Sequence, residues 1–226
     1  MADIDVDQPL RGPSQARLID LTHPMRASDA VYPGDPPLQA HSHASINDVG
    51  YRLTRLVLGA HHGTHVDAPS HYLRQGATIE GLPLEKLIGR ATVIDVPGQP
   101  GDVTDVEMLL PHQDSITEGG RVLFRTGWES RYPGGEFFEN YPGLSLEAAR
   151  WLTARRVALV GFDTPGPSQQ AQAVHEELLR EGAETIIVES LANLSRLPST
   201  FQLIVLPLAL AGVEAAPARA VAILDR

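Results

Sequence analysis

HHGTHVDAPSHY, residues 61–72, holds four of the chain's nine histidines and an aspartate within twelve residues. The chain has no cysteine. Disulfides, thiolate metal sites and thiol nucleophiles are therefore excluded, and any metal must be held by nitrogen and oxygen. A helix is a poor reading of the stretch: Gly63 is interior, Thr64 and Val66 are β-branched, and Pro69 follows. An extended chain puts residues 61, 63, 65 and 67 on one face. A straight strand would separate 61 from 67 by roughly 20 Å, whereas ligands must all reach a metal at about 2 Å. The chain must bend, and Gly63 is the residue that permits it. His65 and Asp67 then point together, with His61 folded back on them. Two imidazoles and a carboxylate, with coordination positions left over, are the ligand set of a catalytic divalent metal. His71, beyond Pro69, is placed as a general base. His62 has the opposite parity and reads as a bystander. The competing reading is a polar loop without chemistry, which a lone histidine would favour and this cluster does not.

Outward from the cluster, composition bounds the rest. The chain has 226 residues, 42% of them hydrophobic, which suits one α/β domain with a sizeable core. Lys+Arg is 18 and Asp+Glu is 28, a formal charge of −10. An acidic chain without a basic cluster argues against nucleic acid and against anionic membrane surfaces as partners. The N-terminus, MADIDVDQPL, is acidic and lacks the apolar run of a signal peptide. FQLIVLPLALAGV (201–213) is too short to span a bilayer and contains Pro207. The expected location is the cytoplasm.

Residues 1–16 read as a flexible N-terminal arm, and 17–226 as one domain. Strand-like runs recur at 17–21, 51–58, 91–96, 121–126, 156–162, 184–189, 201–206 and 218–224. Between them, T-D-V-E at 104–107 has the pattern of a capping box, Ser145 can cap LEAARWLTAR, and Ser168 can cap QQAQAVHEELLRE up to Gly182. The alternation in the second half predicts an α/β fold. On the helix 169–181, His175 falls within the stripe of Ala171, Val174, Leu178 and Leu179 and points inward. Glu189 ends the apolar strand TIIV, where a buried carboxylate is costly unless it meets a cation. Trp128 and the Phe137-Phe138 pair read as pocket wall or core. Asp163, closing VALVGFD, reads as a turn former in D-T-P-G with a site role as the alternative. His23 is a weak signal, and His41 and His43 read as solvated loop residues.

H-x-G-T-H-x-D-A-P-x-H resembles the signature of the cyclase-like metal-dependent hydrolases, a family that includes bacterial kynurenine formamidases and isatin hydrolases. DLTHPMRASDAVYPGDPP (20–37), LFRTGW (123–128), YPGLSLEAARWL (141–152), VALVGFDTPGPS (157–168) and PARAVAIL (217–224) resemble family segments in family order. The resemblance implies a swivelling β/β/α fold and a homodimer or homotetramer. It implies His61, His65 and Asp67 as ligands of a first divalent metal, with Asp67 bridging to a second held by His175 and Glu189. The expected ion is Zn²⁺, with Mn²⁺ as the alternative, one or two per chain. His71 matches the catalytic histidine, and Tyr32 stands where relatives have a substrate-contacting tryptophan. The implied activity is hydrolysis of an amide C–N bond, above all an arylformamidase acting on N-formylkynurenine in the kynurenine pathway. Isatin-type cyclic amide or lactone hydrolysis and polyketide tailoring are the alternatives, and a catalytically silent metal- or ligand-binding module is the reading from another class. The chain departs from the family at Tyr32, at Ala215-Ala216-Pro217 (usually G-S-P, whose hydroxyl could bond substrate), at DTPGPSQQ, and in a longer His175–Glu189 spacing.

Overall fold

The computed structural model describes residues 17–224, so the N-terminal arm expected at 1–16 lies outside the described residues. The strands are β1 Arg17–Asp20, β2 Gln39–Ala44, β3 Leu53–Val57, β4 His65–Asp67, β5 Ile88–Asp95, β6 Val103–Thr104, β7 Arg121–Arg125, β8 Gly143–Leu144, β9 Leu159–Phe162, β10 Ile186–Glu189, β11 Thr200–Pro207 and β12 Ala215–Leu224. The α-helices are α1 Ile46–Val49, α2 Leu84–Leu87, α3 Val106–Leu109, α4 Leu146–Ala154 and α5 Ala171–Leu179. Seven strands run β12-β11-β5-β7-β9-β10-β4, and β4 pairs back onto β12, which closes the sheet into a barrel. The length of β12 makes closure possible. Its residues Ala215–Pro217 take β4 on the same edge whose residues Val221–Leu224 take β1. The mixed α/β architecture expected from the sequence is present, with β5, β7, β9 and β10 mutually parallel.

Period-two alternation explains why these strands are apolar on both faces. Leu123, Leu159 and Val188 join the barrel-filling core with Val66, Leu203 and Ala216. Val122, Phe124, Val160, Phe162 and Ile187 point outward and are covered by Ala148, Ala149 and Leu152 of α4 and Val174, Leu178 and Leu179 of α5. Ser145 caps α4 by accepting from Ala148 N at 3.0 Å, with Glu147 in the first turn.

Two caps differ from expectation by a short slide along the chain. Asp105, not Thr104, caps α3, accepting from Val106 N at 2.8 Å, because Thr104 is drawn into β6. Helix α5 starts at Ala171 after Gln170; Ser168 Oγ instead donates to Leu144 O and accepts from Gln170 N, tying the loop to β8. Strands β2 and β3 form a separate two-stranded ribbon that projects Leu53, Leu56, Ile46, Val49 and Tyr51 into solvent.

Candidate metal centre

The centre is built on the outer face of the barrel, under α5. β4 lies antiparallel to β10 with His65 opposite Glu189 and Asp67 opposite Ile187. Cross-strand partners and i, i+2 neighbours share a face. His65, Asp67 and Glu189 therefore point the same way, while Val66 and Val188 fill the barrel. The inward stripe of α5 brings His175 down onto them. Gly63, at φ +67°, makes the bend that folds His61 back. A Cβ there would also meet Met25 Cγ at 2.9 Å. Thr64 anchors the bend, donating to Ser190 O at 2.5 Å and accepting from His23 N at 3.0 Å.

The donor atoms converge. His61 Nδ1 lies 3.0 Å from Asp67 Oδ1, and His65 Nε2 lies 3.3 Å from Asp67 Oδ1 and 3.3 Å from Glu189 Oε2. His175 Nε2 lies 3.2 Å from Glu189 Oε1 and 3.7 Å from Asp67 Oδ2. Metal–nitrogen bonds of about 2.0–2.1 Å in a tetrahedron give ligand–ligand edges of about 3.3 Å. These spacings are edges of a coordination polyhedron. Both oxygens of fully buried Asp67 have imidazole nitrogens beside them, at 3.0–3.7 Å, but none in good hydrogen-bond geometry. A buried carboxylate costs several kcal/mol unless it meets a cation. The residues thus fit a divalent metal.

Electrostatics agree. Burial works against charge on His61, His65 and His175, but the Asp67 and Glu189 carboxylates outweigh it; all three imidazoles shift upward, His175 to about 10. Burial also opposes ionisation of Asp67 and Glu189, and the imidazoles nevertheless hold both below the ordinary carboxylate range. A cluster that attracts protons this strongly attracts cations. His71 behaves oppositely. It closes the turn Pro69–His71, its ring is 4.2 Å from that of His61, and burial pulls its pKa down despite Asp67. One of its ring nitrogens falls within 4.8 Å of the His61 and Asp67 donor atoms.

A cavity of about 210 Å³ opens onto the centre. Its walls are aromatic: Tyr32, Tyr72, Tyr132, Phe138 and Tyr141 line it, and no lysine or arginine does among the described residues. Tyr32 is 42% exposed, at the mouth, edge-on to Phe138 at 6.0 Å. Tyr72 stacks on the His175 ring at 4.6 Å. Tyr141 is buried and donates to Ser168 O at 3.2 Å.

Several expectations need correction. Trp128 does not line the cavity. It is 2% exposed, its indole N–H donates to Phe137 O at 2.8 Å, and it packs with Phe137 behind the wall that Tyr132, Phe138 and Tyr141 present. His62 stands apart from the ligand cluster; it is buried, lines the cavity, and its Nε2 has no hydrogen-bond partner among the described residues. Ala216 faces the barrel interior, so a hydroxyl at that position would not meet substrate. Asp163 lies in the bend after β9, as a turn residue should, but it is buried, outside the cavity wall, and braces the neighbouring loop. It accepts from Thr126 N, Thr126 Oγ1 and Gly127 N, and burial pushes its pKa up to about 6. His23 stacks on Tyr132 at 4.0 Å, with burial lowering its pKa to about 4. His41 and His43 are exposed.

The family model Cyclase matches residues 19–169. The chain belongs to the Cyclase family. Among curated members of the Cyclase family's relatives, a kynurenine formamidase of Bordetella petrii is 32% identical over 212 residues, covering 91% of this chain and 97% of that protein. A solved structure described as a potential metal-dependent hydrolase with cyclase activity superposes with a TM-score of 0.78 at 28% identity, covering 94% of this chain and all of that one. Isatin hydrolase A from Labrenzia aggregata, solved with benzyl benzoate, gives a TM-score of 0.83 at 25% identity, over 93% of this chain and 94% of that one.

Proposed function

We propose that this Cyclase-family chain hydrolyses the C–N bond of a small aryl amide, with an N-formylkynurenine-type arylformamide as the first substrate. The observation that carries the reading is His71, kept as free base by burial and standing beside the His61, His65 and Asp67 cluster inside an aromatic cavity. A divalent metal at the cluster supplies Lewis acidity toward the substrate carbonyl and makes water a better nucleophile near neutral pH. The chain's own residues do the rest. Tyr32, Phe138 and Tyr141 offer faces and edges to an aryl ring. His71 takes the proton from the attacking water and returns it to the leaving nitrogen. A cavity of about 210 Å³ suits one aryl ring better than a fused polyketide.

Zn²⁺ is proposed ahead of Mn²⁺ because three of the five donor residues are imidazoles. Two ions are supported by the way Asp67 divides its oxygens, Oδ1 toward His61 and His65 and Oδ2 toward His175. The exposed apolar β2–β3 ribbon supports a homodimer, checked by sedimentation, since an isolated two-stranded ribbon is marginal without a partner surface. No helix among the described residues is long and apolar enough to cross a membrane, and a cytoplasmic location remains part of the proposal.

The second reading is isatin-type ring opening, favoured by the shared fold of the Labrenzia aggregata enzyme. The test is kcat/KM for N-formylkynurenine, isatin and simple lactones on metal-loaded protein. Ring opening well above formamide hydrolysis would replace the first reading, and no turnover of any would leave a binding module.

A further inference from the structure

We infer that Glu214 is a positioning residue for the metal centre: its carboxylate accepts the Nε2–H of His61 and so presents the His61 Nδ1 lone pair to the cation. An imidazole binds metal through one nitrogen's lone pair, and where the other nitrogen donates sets the tautomer and the ring orientation. Two of the three imidazoles use main-chain carbonyls for this. His65 donates Nδ1–H to Gly63 O at 2.8 Å and His175 donates Nδ1–H to Ala171 O at 2.6 Å, so each turns Nε2 to the centre. His61 is reversed. Its Nδ1 lies 3.0 Å from Asp67 Oδ1 and 3.2 Å from His65 Nε2, while its Nε2 faces Glu214 Oε1 at 3.5 Å. Among the described residues no main-chain carbonyl accepts from that nitrogen.

His61 is also the ligand that burial constrains least. Its side chain is 22% exposed, against 3% for His65 and 6% for His175. Glu214 is delivered by the strand pairing that seats Asp67. Ala215 lies opposite Asp67, and Glu214 O accepts from Ala68 N at 2.8 Å. The closure of the barrel therefore brings a ligand and the support of a neighbouring ligand to the same place. Glu214 does not line the cavity, so its effect falls on the metal rather than on substrate contact.

The inference rests on the metal-centre reading. Its test uses the full chain and Zn²⁺ alone, with dissociation constants from chelator competition for wild type, Glu214→Leu and Glu214→Gln. Glu214→Leu should weaken the equivalent held by His61 by about 10- to 100-fold, the usual cost of losing such support. Glu214→Gln, whose side-chain carbonyl still accepts, should stay close to wild type, and the metal-free proteins should melt alike. ¹⁵N spectra of the zinc-loaded wild type should place the His61 proton on Nε2. Wild-type affinity in Glu214→Leu, equal weakening in both variants, a lower melting point of metal-free Glu214→Leu, or a proton on Nδ1 would each overturn the inference. Wild-type protein that took up no Zn²⁺ would overturn the metal centre itself, and the inference with it.

Discussion

Replacing His71 by alanine separates proton transfer from metal binding. His71 makes no ion-pair-range contact with Asp67 or Glu189, unlike His61, His65 and His175. The variant should therefore keep its metal. Its ring instead sits 4.2 Å from the His61 ring, over the centre, where a proton leaving the attacking water would go. Loss of a positioned acid–base group costs about 10²–10⁴ in rate. At about 1.36 kcal/mol per factor of ten, that is about 2.7–5.4 kcal/mol of transition-state stabilisation. Burial holds the imidazole below its usual value of 6.5, so it is unprotonated at neutral pH. The wild-type kcat/KM should stay level as pH falls past 6.5 and drop only where His71 takes up a proton; that inflection should vanish in the variant. The assay is single-substrate kinetics on N-formylkynurenine across pH, with elemental analysis of the same samples. A variant that lost its metal while kcat per bound metal barely changed would make His71 a ligand and refute the reasoning.

Four further outcomes are expected. His65→Ala should lower metal content and melting temperature together, because metal binds the folded state and contributes about 4 kcal/mol at a thousandfold excess over Kd; full metal content by elemental analysis would count against the ligand set. Zn²⁺ uptake at pH 7 should release at least one proton per chain, since His175 alone titrates at about 10 without metal. Calorimetry in buffers of different ionisation enthalpy reads this directly, and identical enthalpies would contradict it. By the same shift, the imidazole's contribution to metal-free stability is fully present below pH 6.5 and lost as pH rises toward about 10, so the metal-free melting point should fall over that window. Trp128→Phe should cost about 1–3 kcal/mol in urea unfolding, from a lost hydrogen bond and a gap beside Phe137, with KM unchanged; a large rise in KM with unchanged stability would return Trp128 to the cavity wall.

Much of the centre was legible in one peptide, because His61, His65 and Asp67 lie within seven residues and a glycine at the bend is a local signal. The inward aim of His175 followed from helical periodicity, and its role beside Glu189 from family resemblance. Parity kept His62 out of the ligand set but said nothing of its burial against the cavity. A period of two holds only along a continuous strand, and the strand begins at His65, after the left-handed turn at Gly63. Trp128 and Tyr132 carry the same kind of aromatic signal in the sequence; which of them reached the cavity depended on the side of the 128–141 segment that packed inward. Barrel closure was beyond any local reading. It depends on three residues of β4 pairing with β12, about 150 positions away, and on β12 being long enough to hold β1 as well. That long-range pairing set Ala216 into the core and carried Glu214 to the outer nitrogen of His61. The sequence by itself determined which side chains can bind a metal and move a proton, since those are properties of residue type and short spacing. Only the tertiary structure decided which atoms face one another, because contacts between distant segments come from side-chain packing that no local period encodes.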